Sequence, residues 1–440
     1  MLKTLLRRCV PEPFITAYHF ILAKIAAQVY GHPSEKMVVI GVTGTNGKSS
    51  TVQFIGRMLE HAGFRVGWTS TAGFNVAGKE WVNDKKMTML GRFQTQRLLR
   101  DMVRAGCTHV IIETSSQGVI QHRHVGINYD MAVFTNLTPE HIEAHGGFEN
   151  YKKAKGKFFA HVAKGHRKTI VDQTIEKTCI VNVDDEHAEY FLSFPFDRRY
   201  GYGRKGQPLM ASYTPVIAED VMLAADGSRF RVSERDFVLK PLGLFYIYNA
   251  LAAITTLHAM RIDWQTLRDA TARLTPVAGR LEAVSEGQPF SVIVDYAYEP
   301  AAMRACYDAV RLFKYKRLIH VLGSAGGGRD RARRAVLGAM AGREADIVIV
   351  TNEDPYDEEP MDIIHQVADG ALQAGKQDGR DLFRVLDRAE AIRLAVSVAE
   401  PNDLVLLTGK GSEPVIAGPH GKKIPWDDRS AARAALHHLQ

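Results

Sequence analysis

The sequence predicts an α/β protein: a central P-loop-type parallel-sheet domain carrying a small antiparallel β patch, followed by a C-terminal Rossmann-like α/β domain. Three observations predict it. An apolar run at 37–42 passes through a glycine-rich loop into a helical pattern. Short Val/Ile-rich runs then alternate with segments of 3.6-residue apolar period, both before and after "TPVAG" at 275–279. Between 196 and 240 the texture changes to short β-like runs with turn signals.

Residues 1–36 form an apolar helical segment. "FITAYHFILAKIAAQVYG", Phe14 to Gly31, resembles a leader or an anchor at first sight, but Pro11 and Pro13 separate it from Lys3, Arg7 and Arg8, and His19 and Lys24 interrupt it. A helix docked on the body is favoured over an interfacial one, so membrane contact through residues 1–36 is possible but not favoured. The central domain, 37–278, opens with the strand at Met37–Val42. A helix follows on Val52, Ile55, Met58, Leu59 and Ala62, then a helix on "RFQTQRLLRDMVRAG", and buried strands on "HVIIET" (109–114) and "DMAVFTN" (130–136). Asp226-Gly227 marks a hairpin turn in an antiparallel patch inserted into or flanking this sheet. "YNALAAITTLHAM" returns to helix, and "TPVAG" reads as a hinge. In the second domain, 279–440, strands "FSVIVDY", "RLIHVLG", "ADIVIVT" and "DLVLLTG" alternate with helices.

The 440 residues suffice for two or three domains with sizeable cores. A formal charge of +7, spread along the chain without a basic-aromatic module, argues against nucleic acid as a partner and for mild attraction of anionic substrates. Cys9, Cys107, Cys179 and Cys306 are far apart, which excludes a CxxC zinc ribbon and fits a reducing, cytoplasmic location.

Chemistry concentrates first at "VVIGVTGTNGKSST", Val38 to Thr51. Backbone N–H groups of Gly44, Thr45, Asn46 and Gly47, with the start of the next helix, can wrap an anion. Lys48 can neutralise β/γ-phosphate charge, and the hydroxyls of Ser49 and Ser50 follow, with Ser49 placed for Mg²⁺. Val42 stands where the common GxxxxGK[ST] pattern has its first glycine. Glu113 ends a neighbouring strand, where open α/β sheets bind ligands, and can hold a metal ion. Beyond the next strand end, Glu140, His141, Glu143, His145 and Lys155 crowd together, although "YKKAKGK" taken alone is a solvated basic helix face.

"GVTGTNGKSST", "ETSSQG", "FTNLTPEHIEAHG" with "NYKKAK", "LFYIYNALAA", "GRLE", "VDYAYEP", "GGRDRARR", "NEDPYDEEP" and "GKGSE…IPWDDR" follow one another in the order seen in Mur ligases, and the chain resembles that family over about residues 37 to 440. It is most similar to the tripeptide-synthetase type, which adds the third amino acid to a UDP-N-acetylmuramoyl-dipeptide. The resemblance implies ATP with two Mg²⁺ ions, and an acyl phosphate that an incoming amine converts to an amide. Lys48 would then hold the phosphates, Ser49 and Glu113 a first ion and His141 a second, and Lys155 falls where the family carries a CO₂-derived carbamate that ligates metal. Asn249 matches an adenine-side position, Arg280 and Asp295 positions near the nucleotide, and Thr88, Ser115, Gln121 and Arg123 positions facing the muramoyl-peptide acceptor. Gly409 and Glu413 match positions that grip the amino-acid backbone, with Arg329, Asp354 and Tyr356 around its side chain.

Several positions depart from the family pattern. Only 36 residues precede the loop strand, too few for the domain that grips the UDP moiety, so a muramoyl-peptide-like acceptor is expected with or without UDP. "DYAH" becomes "DYAY" at Tyr298, "GKGHE" becomes "GKGSE" at Ser412, and the threonine-rich peptide loop becomes "MTMLGR". In place of the DNPR of diaminopimelate-adding relatives stands Glu353-Asp354-Pro355-Tyr356, with Asp357, Glu358 and Glu359 after it; this acidic run favours lysine or another basic amino acid over diaminopimelate. The alternatives that share the core are a folylpolyglutamate- or cyanophycin-type ligase and a nucleotide-hydrolysing partner subunit of an amidotransferase.

Overall fold

The computed structural model describes residues 11–85, 87–139, 145–206, 209–224, 226–328 and 331–439. Val38–Thr43 forms the centre of an eleven-stranded sheet, and every residue of it is buried. Its Val/Ile content suits a strand covered on both faces, as parallel sheets require. His109–Glu113 and Met131–Phe134 flank it in parallel, with Val42 opposite Glu113 and Thr43 opposite Phe134. Gly41 is needed here, because a side chain would run into Phe158 and Tyr129. Parallel pairing continues through Thr178–Asn182, Arg198–Gly203 and the start of Thr214–Ala224.

The antiparallel patch extends this same sheet. Thr214–Ala224 pairs antiparallel with Gly227–Val232, which pairs with Arg235–Leu239, the turn falling at Asp226-Gly227. At the opposite edge Val66–Thr69 is parallel to His109–Glu113, then Gly73–Val76 and Lys79–Val82 add a hairpin that the sequence pattern did not reveal. Its strands are four residues long, and Lys79–Val82 is wholly exposed, so no apolar alternation marks it.

A six-stranded sheet follows in the order Glu282–Val284, Ser291–Val294, Leu404–Leu407, Leu318–Leu322, Ile347–Thr351, Leu382–Val385; only the first pair is antiparallel. Helices pack against it, and the C-terminal helix Asp428–His437 is tied down by a buried ion pair, Arg388 to Asp428, at 2.7 Å. The Arg388 guanidinium also donates to the carbonyls of Thr408 and Asn352, so its charge is fully used.

Helix Glu12–Val29 docks through small residues. Ala23, Ala26 and Ala27 are buried, and a Cβ at Gly126, where φ is +80°, would lie 2.9 Å from both the Ala23 carbonyl oxygen and the Ala27 Cβ. Close beneath lie His122, His124 and His161: the Phe20 ring is 5.9 Å from His122, and the rings of His124 and His161 are 4.8 Å apart. Burial pushes His124 down to about 3, helped by the neighbouring His161, His122 and Lys157.

Candidate active site

The end of Val38–Thr43 opens onto a cleft of about 820 Å³ whose walls come from both sheets. The loop Gly44–Gly47 forms its floor. Gly44 and Gly47 have positive φ, and side chains there would strike Thr135 and Asn249, so the loop backbone stays bare. Asn136 holds the loop from below, its carbonyl accepting from Thr45 N at 2.8 Å and its side chain from Asn46 N at 2.9 Å. Gly47 starts helix Lys48–His61, whose first N–H groups have no acceptor within the helix and carry the positive end of its dipole. Lys48 Nζ donates to the Thr45 carbonyl at 2.6 Å, keeping the cation at the loop. This arrangement suits a polyphosphate.

Ser49, in the first turn of that helix, reaches Glu113 because their strands are neighbours in register. Its hydroxyl donates to Glu113 Oε2 at 2.8 Å, and Thr71 donates to the same carboxylate from its N at 2.7 Å and from its hydroxyl at 3.0 Å. Glu113 is buried. A hydroxyl and a carboxylate oxygen converging beside a phosphate cradle fit Mg²⁺, which takes oxygen ligands and keeps several waters. Among the described residues no cluster of three His, Cys, Asp or Glu side chains could hold a metal. His141, expected as a ligand, lies outside the described residues, as do Glu140 and Glu143.

Lys155 does not follow the solvated pattern of its neighbours. In helix Phe148–Ala163, Tyr151, Ala154, Lys155, Phe158, Phe159 and Val162 form the buried face, whereas Lys153 and Lys157 are exposed. Lys155 Nζ donates to the Gly44 carbonyl at 2.6 Å and sits 4.4 Å from the Tyr151 ring. Tyr151, one turn earlier, shares a hydrogen bond of 3.1 Å with the Thr45 hydroxyl. The i, i+4 spacing of Tyr151 and Lys155, visible in the sequence, puts both on the buried face of this helix.

The opposite wall mixes the two sheets' elements. Asn249, on helix Leu244–Ala259, accepts from Thr51 Oγ1 at 3.3 Å, while its Nδ2 is buried without a partner among the described residues. A buried orphan donor beside a phosphate loop fits a base-edge acceptor of a nucleotide. The Arg280 guanidinium lies 4.1 Å from the Tyr296 ring. Asp295 is committed to its own turn, accepting from Leu281 N at 2.8 Å and Ala297 N at 2.7 Å; burial raises its carboxyl above the ordinary range, opposed by Arg280. Asn46 Nδ2 donates to Glu299 at 2.7 Å and so bridges the loop to the second unit.

Thr88, Ser115, Gln121 and Arg123 line one end of the cleft. The Thr88 and Thr71 hydroxyls are 3.0 Å apart, Ser115 caps helix Ser116–Ile120, and Arg123 donates to the Met89 carbonyl of the "MTMLGR" loop. At the other end, Glu413 accepts from the Tyr296 hydroxyl at 2.8 Å and from Lys410 at 2.5 Å. Lys410 is buried and also 3.0 Å from Asp354; burial works against its charge, but Glu413 and Asp354 outweigh it and raise its pKa. Gly409, with φ +103°, packs against Glu353, and Tyr356, with φ +53°, packs its ring on Gly327. Asp354, Tyr356 and Gly409 lie behind the cleft wall rather than on it. Arg329 lies outside the described residues.

The acidic run is therefore not a free negative patch. Asp354 is neutralised by Lys410, Glu358 by Arg334 at 3.0 Å and Arg331 at 3.3 Å, and Asp357 accepts from His420 N at 2.7 Å. Sequence reading missed Lys410: the local spacing to Glu413, three residues on, is a signal that could have found it, whereas its second partner Asp354 is 56 residues away.

A phosphate loop, a Ser49–Glu113 pair and a second α/β unit facing them across one cleft are the features of a nucleotide-binding enzyme. The family model of the Mur ligase middle domain matches residues 42–257, and that of the "Mur ligase, glutamate ligase domain" matches 279–411. The chain belongs to the Mur ligase family, whose members are ATP-dependent enzymes forming amide bonds with release of ADP and phosphate. It is 39% identical over 437 residues to the UDP-N-acetylmuramyl-tripeptide synthetase of Roseiflexus sp. (strain RS-1), covering 98% of this chain and 84% of that one. It is 35% identical over 435 residues to the UDP-N-acetylmuramoyl-L-alanyl-D-glutamate–2,6-diaminopimelate ligase of Geobacillus thermodenitrificans, covering 97% and 84%. Among solved structures, one of a UDP-N-acetylmuramoyl-L-alanyl-D-glutamate–2,6-diaminopimelate ligase matches with TM-score 0.58 and 26% identity over 92% of this chain and 79% of that one. The folylpolyglutamate synthase of Mycobacterium tuberculosis shares the fold, with TM-score 0.68 at 16% identity over 93% of each chain.

Proposed function

We propose that this chain activates a carboxylate of a muramoyl-peptide-like acceptor with ATP and joins it to the amino group of a free amino acid. The observation that carries this reading is the single cleft in which the phosphate loop and the Ser49–Glu113 pair face Arg280 and Glu413 of the second unit. Residues 37–278 act as the nucleotide domain and 279–440 as the amino-acid domain. Three buried free cysteines, Cys107, Cys179 and Cys306, fit the reducing cytoplasm in which such precursors are made.

In this reading the loop N–H groups and Lys48 hold the β- and γ-phosphates, and Asn249 Nδ2 takes the adenine edge. Ser49 and Glu113 would hold Mg²⁺, whose charge would screen the repulsion between phosphate and attacking carboxylate. Lys155, as a carbamate, and His141 would hold a second ion; carbamylation exchanges a cation for an anion at the one lysine of its helix that faces the cleft. Thr88, Ser115, Gln121 and Arg123 orient the acceptor so that its carboxylate oxygen meets the γ-phosphorus and ADP leaves. Lys410 and Glu413 orient the amino acid, whose nitrogen attacks the acyl carbon, and the C–O bond to phosphate breaks. Closing the two units over the cleft excludes the water that would otherwise hydrolyse the acyl phosphate.

Because Asp354 and Glu358 are already paired, the choice of amino acid turns on a missing contact. Tyr356 stands where diaminopimelate-adding relatives have the arginine that pairs with a distal carboxylate, and a phenol cannot supply that bidentate contact. Lysine or another basic amino acid, which has no distal carboxylate to pair, is favoured over diaminopimelate. The test of the whole reading is ADP release with acceptor and amino acid supplied together or singly: release should require the acceptor, and a new amide should appear only with both. ADP release indifferent to both partners would replace ligation with simple hydrolysis.

A further inference from the structure

Helix Glu12–Val29 is apolar on two opposite faces, and only one of them is used. At about 100° per residue, Ala23, Ala26 and Ala27 fall on the docked side. Phe14, Tyr18, Ile21, Ile25 and Val29 fall on the opposite side in one stripe, each between 44% and 68% exposed. Surface helices normally turn a polar face to water, so a five-residue apolar stripe is an unsatisfied surface. The helix does not cross a bilayer: among the described residues none is long and apolar enough.

Charge says what covers the stripe. Residues 1–29 hold four basic side chains, Lys3, Arg7, Arg8 and Lys24, against Glu12. Helix Arg92–Arg104, packed beside helix Glu12–Val29, holds Arg92, Arg97, Arg100 and Arg104 against Asp101. These two segments carry six of the chain's seven net formal charges, with Arg97 and Arg104 exposed. The two helices are joined at their ends: the Arg100 guanidinium is 4.7 Å from the Tyr30 ring, and Tyr30 is 6.4 Å from Phe93, itself partly exposed. An apolar stripe with Tyr30, Phe93 and the arginines of helix Arg92–Arg104 beside it combines the features by which a helix lies in the plane of an anionic bilayer, rings in the interface and bases at the headgroups.

We propose that helix Glu12–Val29 seats the protein on an anionic lipid surface. The Phe20 ring is 5.9 Å from His122, which stands between Gln121 and Arg123 at the acceptor end of the cleft. Seating would therefore bring the mouth of that end to the membrane, where a lipid-borne acceptor could be presented.

The test is co-sedimentation of the full chain with phosphatidylglycerol-rich vesicles and with pure phosphatidylcholine vesicles, at low and high salt. Preferential binding to the anionic vesicles, weakened by salt, is expected. Ile21→Ser with Ile25→Ser should weaken it about tenfold or more, with unchanged melting temperature and ADP release in solution. Val171→Ser, which removes an apolar residue exposed in a turn, should leave it intact. Arg97→Glu with Arg104→Glu should also abolish the preference, which keeps the test decisive if the serine variant does not fold. Equal binding to both vesicle types, or full binding by the stripe variant, overturns the proposal. So does a wild-type dimer that the stripe variant converts to monomer, since a second copy would then cover the face.

Discussion

Glu113→Gln separates charge from shape at the centre of the cleft. The native carboxylate accepts from Ser49 Oγ at 2.8 Å and Thr71 N at 2.7 Å on one oxygen and from Thr71 Oγ1 at 3.0 Å on the other. Glutamine keeps the volume. Its amide oxygen can receive the first two donors, and its NH₂ can donate to Thr71 Oγ1 once that hydroxyl turns. Three bonds survive and lose their ionic character, a change of about 1 kcal/mol each. Removing a buried charge recovers a desolvation cost of comparable size. The net stability change is therefore within about 2 kcal/mol, or a few degrees in Tm. Magnesium binding has no such compensation. Loss of an anionic ligand should raise the Mg²⁺ midpoint about 100-fold, equivalent to about 2.7 kcal/mol. A MgCl₂ titration of acceptor-dependent ADP release, paired with thermal melting, reads both quantities. A variant with the wild-type Mg²⁺ midpoint, or one whose Tm collapses by about 10 °C or more, would refute the assignment of Glu113 as ligand.

Lys155→Ala should nearly abolish ligation, and wild-type activity should fall in bicarbonate-free buffer and return with added bicarbonate; an active alanine variant would remove Lys155 from the metal site. Asn249→Leu should raise the KM for ATP about tenfold with a small effect on kcat, and equal loss with a base-free triphosphate would contradict the adenine contact. Tyr356→Arg should shift competition between lysine and meso-diaminopimelate towards the latter, and an unchanged ratio would leave the side-chain pocket elsewhere. His124 sits at about 3 in the fold against an ordinary 6.5, and His122 and His161 are also lowered by burial, with Lys24, Lys157 and Arg92 as facing charges, all positive. The unfolded histidines bind more protons below 6.5, so docking of helix Glu12–Val29 is fully stable above that pH and weakens as pH falls from 6.5 towards 3. Protection factors of that helix's amides, taken relative to the intrinsic exchange rate at each pH, should fall between about pH 7.5 and about pH 5, and flat protection would contradict it.

What could be read from sequence follows from how local each signal is. Val38–Thr43, His109–Glu113 and Leu404–Leu407 announce themselves because strands buried on both faces are continuous Val/Ile/Leu runs. The phosphate loop is legible because its glycines answer a backbone requirement, positive φ at Gly44 and Gly47. Gly73–Val76 with Lys79–Val82 was not legible, since both strands are only four residues long and the edge strand Lys79–Val82 is wholly exposed, with no reason to alternate. Lys155 reads as surface from its charged neighbours and was placed in the site only through family resemblance; the helical phase of Tyr151, Phe158 and Phe159 is the local clue. The acidic run misled because side-chain charge is counted in sequence but neutralised in space, by Lys410 and Arg334. The docked side of helix Glu12–Val29 was equally hidden: both faces are apolar, and the choice fell to the alanines that let backbones approach at Gly126.

In the proposed reaction, phosphate passes from ATP to a carboxylate before the amide forms. This order is tested most directly by ¹⁸O transfer: a muramoyl-peptide acceptor labelled in its reacting carboxylate, incubated with ATP, Mg²⁺ and lysine, and the released phosphate analysed by mass. The account predicts one labelled oxygen in the phosphate for each amide formed. Unlabelled phosphate accompanying amide product would contradict it.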